Sequence, residues 1–182
     1  MLKPTSASGI VVAGLLLLGA CAAPSPEALS HHPSGYPDVQ ASAPGRATCY
    51  QTSAAETEAA ARATSAARRA QGLPAVRPDA KLSQAAARHA CDMAGRGLMT
   101  HVGTSTKGPS QRVKALGYRP SITAENIAAG PFGLSRVLAE WSASSGHRAN
   151  ILIPQLRDVG IGRALGSDGR TVFWSAVYGA PR

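Results

Sequence analysis

Five side chains that could do acid–base or metal chemistry are spread over the middle of this 182-residue chain: His89, His101, Glu125, Glu140 and His147. A neutral imidazole can accept a proton or bind a metal ion, and a carboxylate can orient an imidazole. Their spacing matches no local motif, because the sequence lacks His-Glu-x-x-His, Gly-x-Ser-x-Gly, Cys-x-x-Cys and a glycine-rich phosphate loop. They can form one site only if the fold brings distant segments together.

Helical patterns occupy most of the region that contains these residues. The first such stretch is rich in strong helix formers, with Glu56 and Glu58 near its start and Arg68 and Arg69 near its end, an order that suits the helix dipole. Glycine and proline follow the first and third stretches and are expected to end those helices. The predicted helices span residues 53–70, 78–97, 111–118 and 134–144.

The C-terminal part reads as strand rather than helix. Segments 158–165, "DVGIGRAL", and 170–179, "RTVFWSAVYG", contain β-branched and aromatic residues in an alternating pattern. Residues 166–169, Gly-Ser-Asp-Gly, form a turn signal between them, which predicts an antiparallel hairpin. Helices followed by strands indicate an α+β domain.

The N-terminus is typical of an exported protein. Lys3 precedes an apolar run of 12 residues, 9–20, which is too short for a permanent membrane span and suits the core of a signal peptide. The run ends in Leu18-Gly19-Ala20-Cys21, which resembles the lipobox of bacterial lipoproteins, where the chain is cut before the cysteine and a lipid is attached to it. The alternative is an ordinary secretory signal.

Two further cysteines, Cys49 and Cys91, remain after such a cut. An exported protein can keep a disulfide, and a bridge across this long loop would stabilise the fold by about 4 kcal/mol in the loop-entropy model. A bridge is favoured, because Cys91 would otherwise be an odd free thiol in an oxidising compartment. The alternative is two separate buried thiols.

The chain is basic, with a formal net charge of +9 that falls to +8 without Lys3. Export and the scattered placement of the arginines argue against nucleic acid as the partner. A solvated basic surface near anionic lipid or envelope polymers fits the charge better.

The amino-acid composition along the chain predicts where the signal peptide, the linker and the folded domain begin and end. Residues 1–20 are interpreted as a signal peptide, 21–48 as a lipidated N-terminus and flexible linker, and 49–182 as the folded domain. The linker is rich in Ala, Ser, Pro and Gly and contains His31 and His32, which are expected to be solvated.

Six segments of the domain carry a family resemblance. They are 72–76 "GLPAV", 89–103 "HACDMAGRGLMTHVG", 124–130 "AENIAAG", 140–152 "EWSASSGHRANIL", 159–162 "VGIG" and 173–179 "FWSAVYG". In this order they resemble the bacterial branch of the CAP superfamily, also called SCP-like, after cysteine-rich secretory proteins, antigen 5 and pathogenesis-related 1 proteins. The resemblance covers about residues 50–180.

The resemblance implies an α-β-α sandwich with a central antiparallel sheet, and a cleft lined by two histidines and two acidic residues. The first histidine falls on His101, the first acid on Glu125 and the second histidine on His147. The position of the second acid holds Ser144, which weakens any mechanism that needs two carboxylates. Glu140 could neighbour Ser144 on one helix face, but a solvated glutamate is the simpler interpretation.

Three functions are weighed for such a domain. The favoured one is a monomeric binding module, anchored to a bacterial membrane through Cys21, that captures an apolar ligand or an envelope component in the cleft. The second is a hydrolase in which His101, Glu125 and His147 activate water, with or without a divalent metal such as zinc held by the two histidines. The third is a purely structural envelope protein. The lack of a serine or cysteine nucleophile with an obvious base favours binding, and His89 is interpreted as a packing or capping residue.

Overall fold

In the computed structural model, which describes residues 29–31 and 37–182, a central sheet lies between two layers of helices. The helices are α1 (Ala54–Arg69), α2 (Ala80–Arg96), α3 (Pro109–Ala115), α4 (Leu134–Ala143) and α5 (Ser145–Ile151). The strands are β1 (Leu29–His31), β2 (Val39–Gln40), β3 (Thr48–Cys49), β4 (Arg77–Pro78), β5 (Leu98–Met99), β6 (Pro120–Gly130), β7 (Asp158–Leu165) and β8 (Val172–Pro181).

Three long antiparallel strands form the centre of the sheet, in the order β6-β8-β7. β7 and β8 are the predicted hairpin, with Asp158 opposite Gly179 and Leu165 opposite Val172. β6, which the sequence did not predict as a strand, pairs with the full length of β8. The short strands β1, β3 and β4 complete the sheet at its margins.

Alternate residues of β8 face opposite helical layers. Phe173 and Val177 pack with α2 and α3, whereas Trp174 and Tyr178 pack with α1, α4 and α5. All four side chains are buried, because a strand between two layers has no solvent-facing side. The predicted α-β-α sandwich with a central antiparallel sheet is therefore confirmed.

Close contact between α2 and β7 explains the Val-Gly-Ile-Gly segment of the sequence. A Cβ added at Gly160 would overlap the backbone of Ser83 and Leu82, and one added at Gly162 would overlap the backbone of Ala87. Glycine here serves close approach rather than conformational freedom. Small alanines of this helix, including Ala86 and Ala90, pack directly on the sheet.

A Gly162→Ala variant is expected to lose about 1–3 kcal/mol of unfolding free energy, because the added methyl must displace helix backbone rather than a mobile side chain. Urea denaturation measures the loss. Gly133→Ala is the matched control, since a Cβ at that position meets nothing within 4 Å. Equal stability of the two variants would contradict the close approach.

The disulfide joins Cys49 of β3 to Cys91 of α2, as the sequence predicted. It links the start of the domain to the helix that carries His89. None of the helices among residues 37–182 is long and apolar enough to cross a bilayer. Cys21 and the signal segment lie outside the described residues.

The segment predicted as a flexible linker is attached to the domain over its described C-terminal part. β2 pairs with β5, Ala41 N and Ser42 N donate to Gly97 O, and Gly45 N donates to Gly95 O. These bonds form because the glycine-rich end of α2 leaves carbonyls that need donors. The ordered contacts of the domain thus begin before residue 49.

Candidate functional site

Glu125 is the centre of the site and lies in the middle of β6, with none of its surface exposed. Its Oε1 accepts from His101 Nδ1 at 2.8 Å. Its Oε2 accepts from Arg112 Nη2 at 2.5 Å and from Ser175 Oγ at 3.2 Å. All three partners are side chains, and the carboxylate orients the His101 ring through its Nδ1.

Arg112 and Ser175 are members of this cluster that the sequence analysis missed. Arg112 comes from α3, Ser175 from β8 and Glu125 from β6. A buried carboxylate requires a cation and hydrogen-bond donors. That requirement could have indicated an arginine partner, but only once β6 was known to be buried.

Opposing effects set the pKa of the Glu125 carboxyl. Burial alone would raise it, but the positive charges of His89 and Arg112 and the hydrogen bond from His101 lower the pKa to about 2. The carboxylate is therefore ionised at every pH at which the protein is expected to work. It cannot serve as a proton donor, and both of its oxygens are already engaged.

His101 is held by its loop as well as by Glu125. Asp92 of α2 accepts from Thr104 N at 3.1 Å and from Thr104 Oγ1 at 2.5 Å, and Arg96 donates to Asp92 and to the carbonyl of Val102. These bonds fasten the loop to α2 just after His101. Because a carboxylate can only accept, the His101 ring carries hydrogen on Nδ1 in its bond to Glu125.

Arg112 also holds this loop from the other side. Its Nη1 donates to the carbonyl of His101 and to Thr106 Oγ1, both at 3.1 Å. One guanidinium therefore connects the buried carboxylate to the loop that carries the first histidine. This planar fork suits such a role better than an ammonium would.

His89 is buried beneath the same loop. Its Nε2 lies 2.9 Å from the carbonyl of Thr100 and 3.7 Å from Glu125 Oε1, and its Nδ1 has no hydrogen-bond partner. Burial lowers the pKa of this imidazole more strongly than the Glu125 charge raises it. A packing role fits its burial, but the sequence did not show that the ring adjoins Glu125.

His147 lies on a short helix, α5, which follows the end of the predicted helix at residue 144 and was not itself predicted. Its Nδ1 is 3.0 Å from Ser144 Oγ, and its ring centroid is 6.4 Å from that of Trp141. Burial lowers the pKa of His147, the charge of His101 lowers it further, and a hydrogen bond to the Ile127 carbonyl acts in the opposite direction. Both imidazoles are partly exposed and the charge of His101 acts on His147, so we call the region of these two side chains the histidine cleft.

The polar side chains of Asn126 and Asn150 attach α5 to β6. Asn126 Nδ2 donates to the carbonyl of His147 at 3.1 Å, and Asn150 Nδ2 donates to the carbonyl of Glu125 at 3.0 Å. The backbone partner of Asn150 thus belongs to the central strand β6. Because neighbouring strand residues point to opposite faces, Glu125 and Asn126 connect β6 to the two helical layers that carry the two histidines.

Glu140 takes no part in the cluster. Its Oε1 lies 3.5 Å from Arg136 Nε in a solvent-exposed i,i+4 ion pair on α4. The interpretation as a solvated helix residue is therefore the correct one. Ser144 occupies the position where the resemblance places a second acid, and its hydroxyl contacts His147 instead.

A resident zinc ion does not fit these side chains. Among the described residues no group of three or more His, Cys, Asp and Glu side chains could hold a metal ion. Glu125 is unavailable as a ligand, since His101, Arg112 and Ser175 take up both of its oxygens. Two imidazoles alone leave the tetrahedral coordination that zinc prefers half filled.

A separate groove of about 1020 Å³ lies between residues 49–52 and helices α1 and α2, beside the disulfide. Most of its lining surface is apolar, with charged side chains such as Glu58, Asp79, Lys81 and Arg88 among the lining residues. It contains none of the residues of the histidine cleft. The volume of this groove alone does not identify it as a functional site.

Acid is expected to destabilise the protein in two steps. His89 and His147 have pKa values below their ordinary 6.5 in the folded state, so the unfolded chain binds protons more readily as the pH falls below 6.5. Glu125 adds a second loss from about pH 4.5 down to its folded pKa of about 2. Urea denaturation between pH 7.5 and about 2 measures both steps, and a stability that stays constant from pH 7.5 to 5 would contradict the first.

The model of the Cysteine-rich secretory protein family matches residues 61–178. The Bacillus subtilis (strain 168) protein YkwD is 31% identical over 121 residues, which are 66% of this chain but only 45% of that protein. This chain thus spans less than half the length of that relative.

Two solved structures have the same fold at low sequence identity. An outer surface protein of Borrelia burgdorferi matches with a TM-score of 0.62 and 19% identity, covering 74% of this chain and 100% of its own. An extracellular protein containing an SCP domain from Bacillus anthracis str. Ames matches with a TM-score of 0.60 and 23% identity, covering 69% of this chain and 40% of its own.

Proposed function

This chain belongs to the cysteine-rich secretory protein family, and from that premise we propose that it is an extracytoplasmic binding domain. A lipid on Cys21 tethers it to a bacterial membrane. The domain acts as a monomer and captures an apolar ligand or an envelope component in the histidine cleft. Nucleic acid is not among its partners.

The state of Glu125 is the observation that carries this proposal. Its carboxylate is fully buried, ionised and bonded through both oxygens, so the cleft offers imidazoles but no carboxylate to solvent. A hydrolase that activates water with this glutamate needs a base whose oxygens reach the cleft. Glu125 instead positions His101, as buried carboxylates do for many functional histidines.

Imidazoles beside an aromatic ring suit the polar end of an amphiphile. The lowered pKa of His147 favours its neutral form at neutral pH, and a neutral ring can donate to and accept from a hydroxyl or ester group. Trp141 lies next to it and is almost fully buried. A neutral polar group at the edge of an apolar core is a common arrangement in ligand sites.

Three observations support the location. The Cys49–Cys91 disulfide is typical of an oxidising compartment. The sequence before residue 21 has the pattern of an export signal. The Bacillus anthracis protein of the same fold is described as extracellular.

Cell fractionation tests the lipid anchor on Cys21. A Cys21→Ser variant is expected to leave the membrane fraction, and a variant that stays in that fraction would refute lipidation.

Ligand capture can be tested by native mass spectrometry on the full-length protein after delipidation. Oleate, a sterol and phosphatidylglycerol are the probes, and we expect at least one of them to be retained. A His101→Ala, His147→Ala double variant is expected to lose it, whereas Glu140→Ala, which changes only an exposed ion pair, is expected to keep it. Retention of none of the probes by the wild type, or equal retention by the double variant, would overturn the proposal.

A further inference from the structure

The contact between Ser144 and His147 has the composition of a nucleophile and its base. Ser144 lies between α4 and α5, at the residue that would normally cap α5 with its side chain. Its hydroxyl makes no such capping bond and lies instead 3.0 Å from His147 Nδ1. The hydroxyl is therefore aimed at an imidazole and not used to hold the helix.

The hydrogen bonds of the ring fix which nitrogen can act as the base. The imidazole of His147 also bonds to the backbone carbonyl of Ile127. Because a carbonyl can only accept, we assign the ring hydrogen to that bond, which leaves Nδ1 to accept the hydrogen of Ser144 Oγ. The carbonyl then orients the base, a role that a carboxylate has in the familiar triads.

We propose that Ser144 is a nucleophile activated by His147, and that the histidine cleft transfers the acyl group of a carboxylic ester to Ser144 and then to water. Ser144 Oγ forms a bond to the ester carbonyl carbon while its proton passes to His147 Nδ1. The same proton then goes to the departing alkoxide, which leaves as an alcohol. Water, deprotonated by His147 in the same way, attacks the acyl-serine and releases the carboxylic acid and the serine hydroxyl.

Accessibility distinguishes Ser144 from the other serines near the cleft. Ser144 and His147 are both partly exposed, so an ester can reach them. Ser175 is fully buried against Glu125, and the hydroxyl of Ser142 is bonded to the carbonyl of Leu138 within α4. Ser145 is exposed and adjacent in sequence, which makes it a matched control.

The electrostatic setting favours the base form that this chemistry requires. Burial and the charge of His101 lower the pKa of His147, so its ring is ready to accept a proton at neutral pH. General base catalysis of this kind contributes about 10²–10⁴-fold to a rate.

This proposed activity differs from the hydrolase that the sequence suggested, because it uses neither Glu125 nor a metal. The expectation that the chain lacks a serine with an obvious base is corrected by this contact.

The experiment treats the folded protein with a fluorophosphonate probe and locates the label by peptide mass spectrometry, with p-nitrophenyl acetate hydrolysis as a second readout. We expect the label on Ser144, a loss of at least about 100-fold in labelling rate in Ser144→Ala and His147→Ala, and no change in Ser145→Ala. The labelling rate of the wild type is expected to rise with pH up to a plateau below pH 6.5. Thermal unfolding of each variant confirms that it is folded.

An unlabelled Ser144, a label on Ser145 or elsewhere, or an undiminished rate in folded His147→Ala would overturn the proposal. It does not rest on ligand capture, and the two proposals can fail separately. A wild-type protein that retains the lipid probes but is not labelled at Ser144 would refute only the nucleophile, and a labelled protein that retains none of them would refute only ligand capture. Loss of probe retention in the double histidine variant tests only the binding proposal.

Discussion

An Arg112→Leu variant is expected to lose about 3–5 kcal/mol of unfolding free energy, because it leaves the Glu125 carboxylate buried without its cation. The lost guanidinium also removes two donors to the His101 loop, from Nη1 to the His101 carbonyl and to Thr106 Oγ1. Because the positive charge of Arg112 helps to lower the pKa of Glu125, its removal is expected to raise that pKa. Chemical denaturation gives the stability change, and NMR titration of the carboxyl gives the pKa.

An exposed ion pair on α4 supplies the matched control for this variant. Arg136→Leu breaks the pair with Glu140, in which both side chains are more than half exposed, and is expected to cost less than about 0.5 kcal/mol. A second test adds Glu125→Gln to Arg112→Leu, which removes the unpaired charge and is expected to recover part of the lost stability. If Arg112→Leu were no more destabilising than Arg136→Leu, Glu125 would not depend on this cation.

Replacing Arg68 with methionine is expected to destabilise the fold by about 4 kcal/mol or more. The guanidinium is fully buried and donates to five backbone carbonyls, those of Pro74, Ile151, Ile153, Pro154 and Leu156. Methionine fills a similar space but leaves these acceptors without donors, at roughly 1–3 kcal/mol for each one that stays buried and unsatisfied. Four of the carbonyls lie between the end of α5 and the start of β7, so the change also loosens the helix that carries His147.

The neighbouring arginine is the control for this second variant. Arg69 follows Arg68 in α1 and is exposed, so Arg69→Met is expected to change the stability by less than about 0.5 kcal/mol. Arg68→Lys keeps the charge but offers three donors in place of the planar fork, and is expected to fall between the two. Thermal and urea denaturation report the differences. If Arg68→Met and Arg69→Met had the same unfolding free energy, the prediction would be wrong, because water would then replace the donors of the guanidinium without loss of stability.

Helices α1 and α2 and the β7–β8 hairpin could be predicted because their signals are local. Asp79 caps α2 and Gly97 ends it, as the pattern at 78–97 indicated. Gly169 takes the positive φ that the hairpin turn requires. Each of these features depends on residues within a few positions of one another, where propensity and capping act directly.

β6 and α5 escaped prediction for physical reasons that differ. β6 contains small and polar residues with little strand propensity, and it is a strand because β8, which lies more than 40 residues away, pairs with its whole length. α5 has only seven residues and lacks an apolar period, and the asparagine bonds to β6 hold it in place. The strand that pairs with β6 and the strand that holds α5 are both distant in sequence, so the local sequence does not reveal either contact.

The sequence by itself determined the α+β class, the pairing of Cys49 with Cys91, and which histidines and glutamate to consider. Only the tertiary structure decided that Glu125 is a buried anion bonded to Arg112, that Arg68 is buried while Arg69 is exposed, and that Ser144 faces His147. The reason is that helix and strand formation depend on neighbours along the chain, whereas the state of a polar group depends on its burial and on the charges around it. Those charges come from elements far apart in sequence, and only the packed sheet and helices bring them within hydrogen-bonding distance.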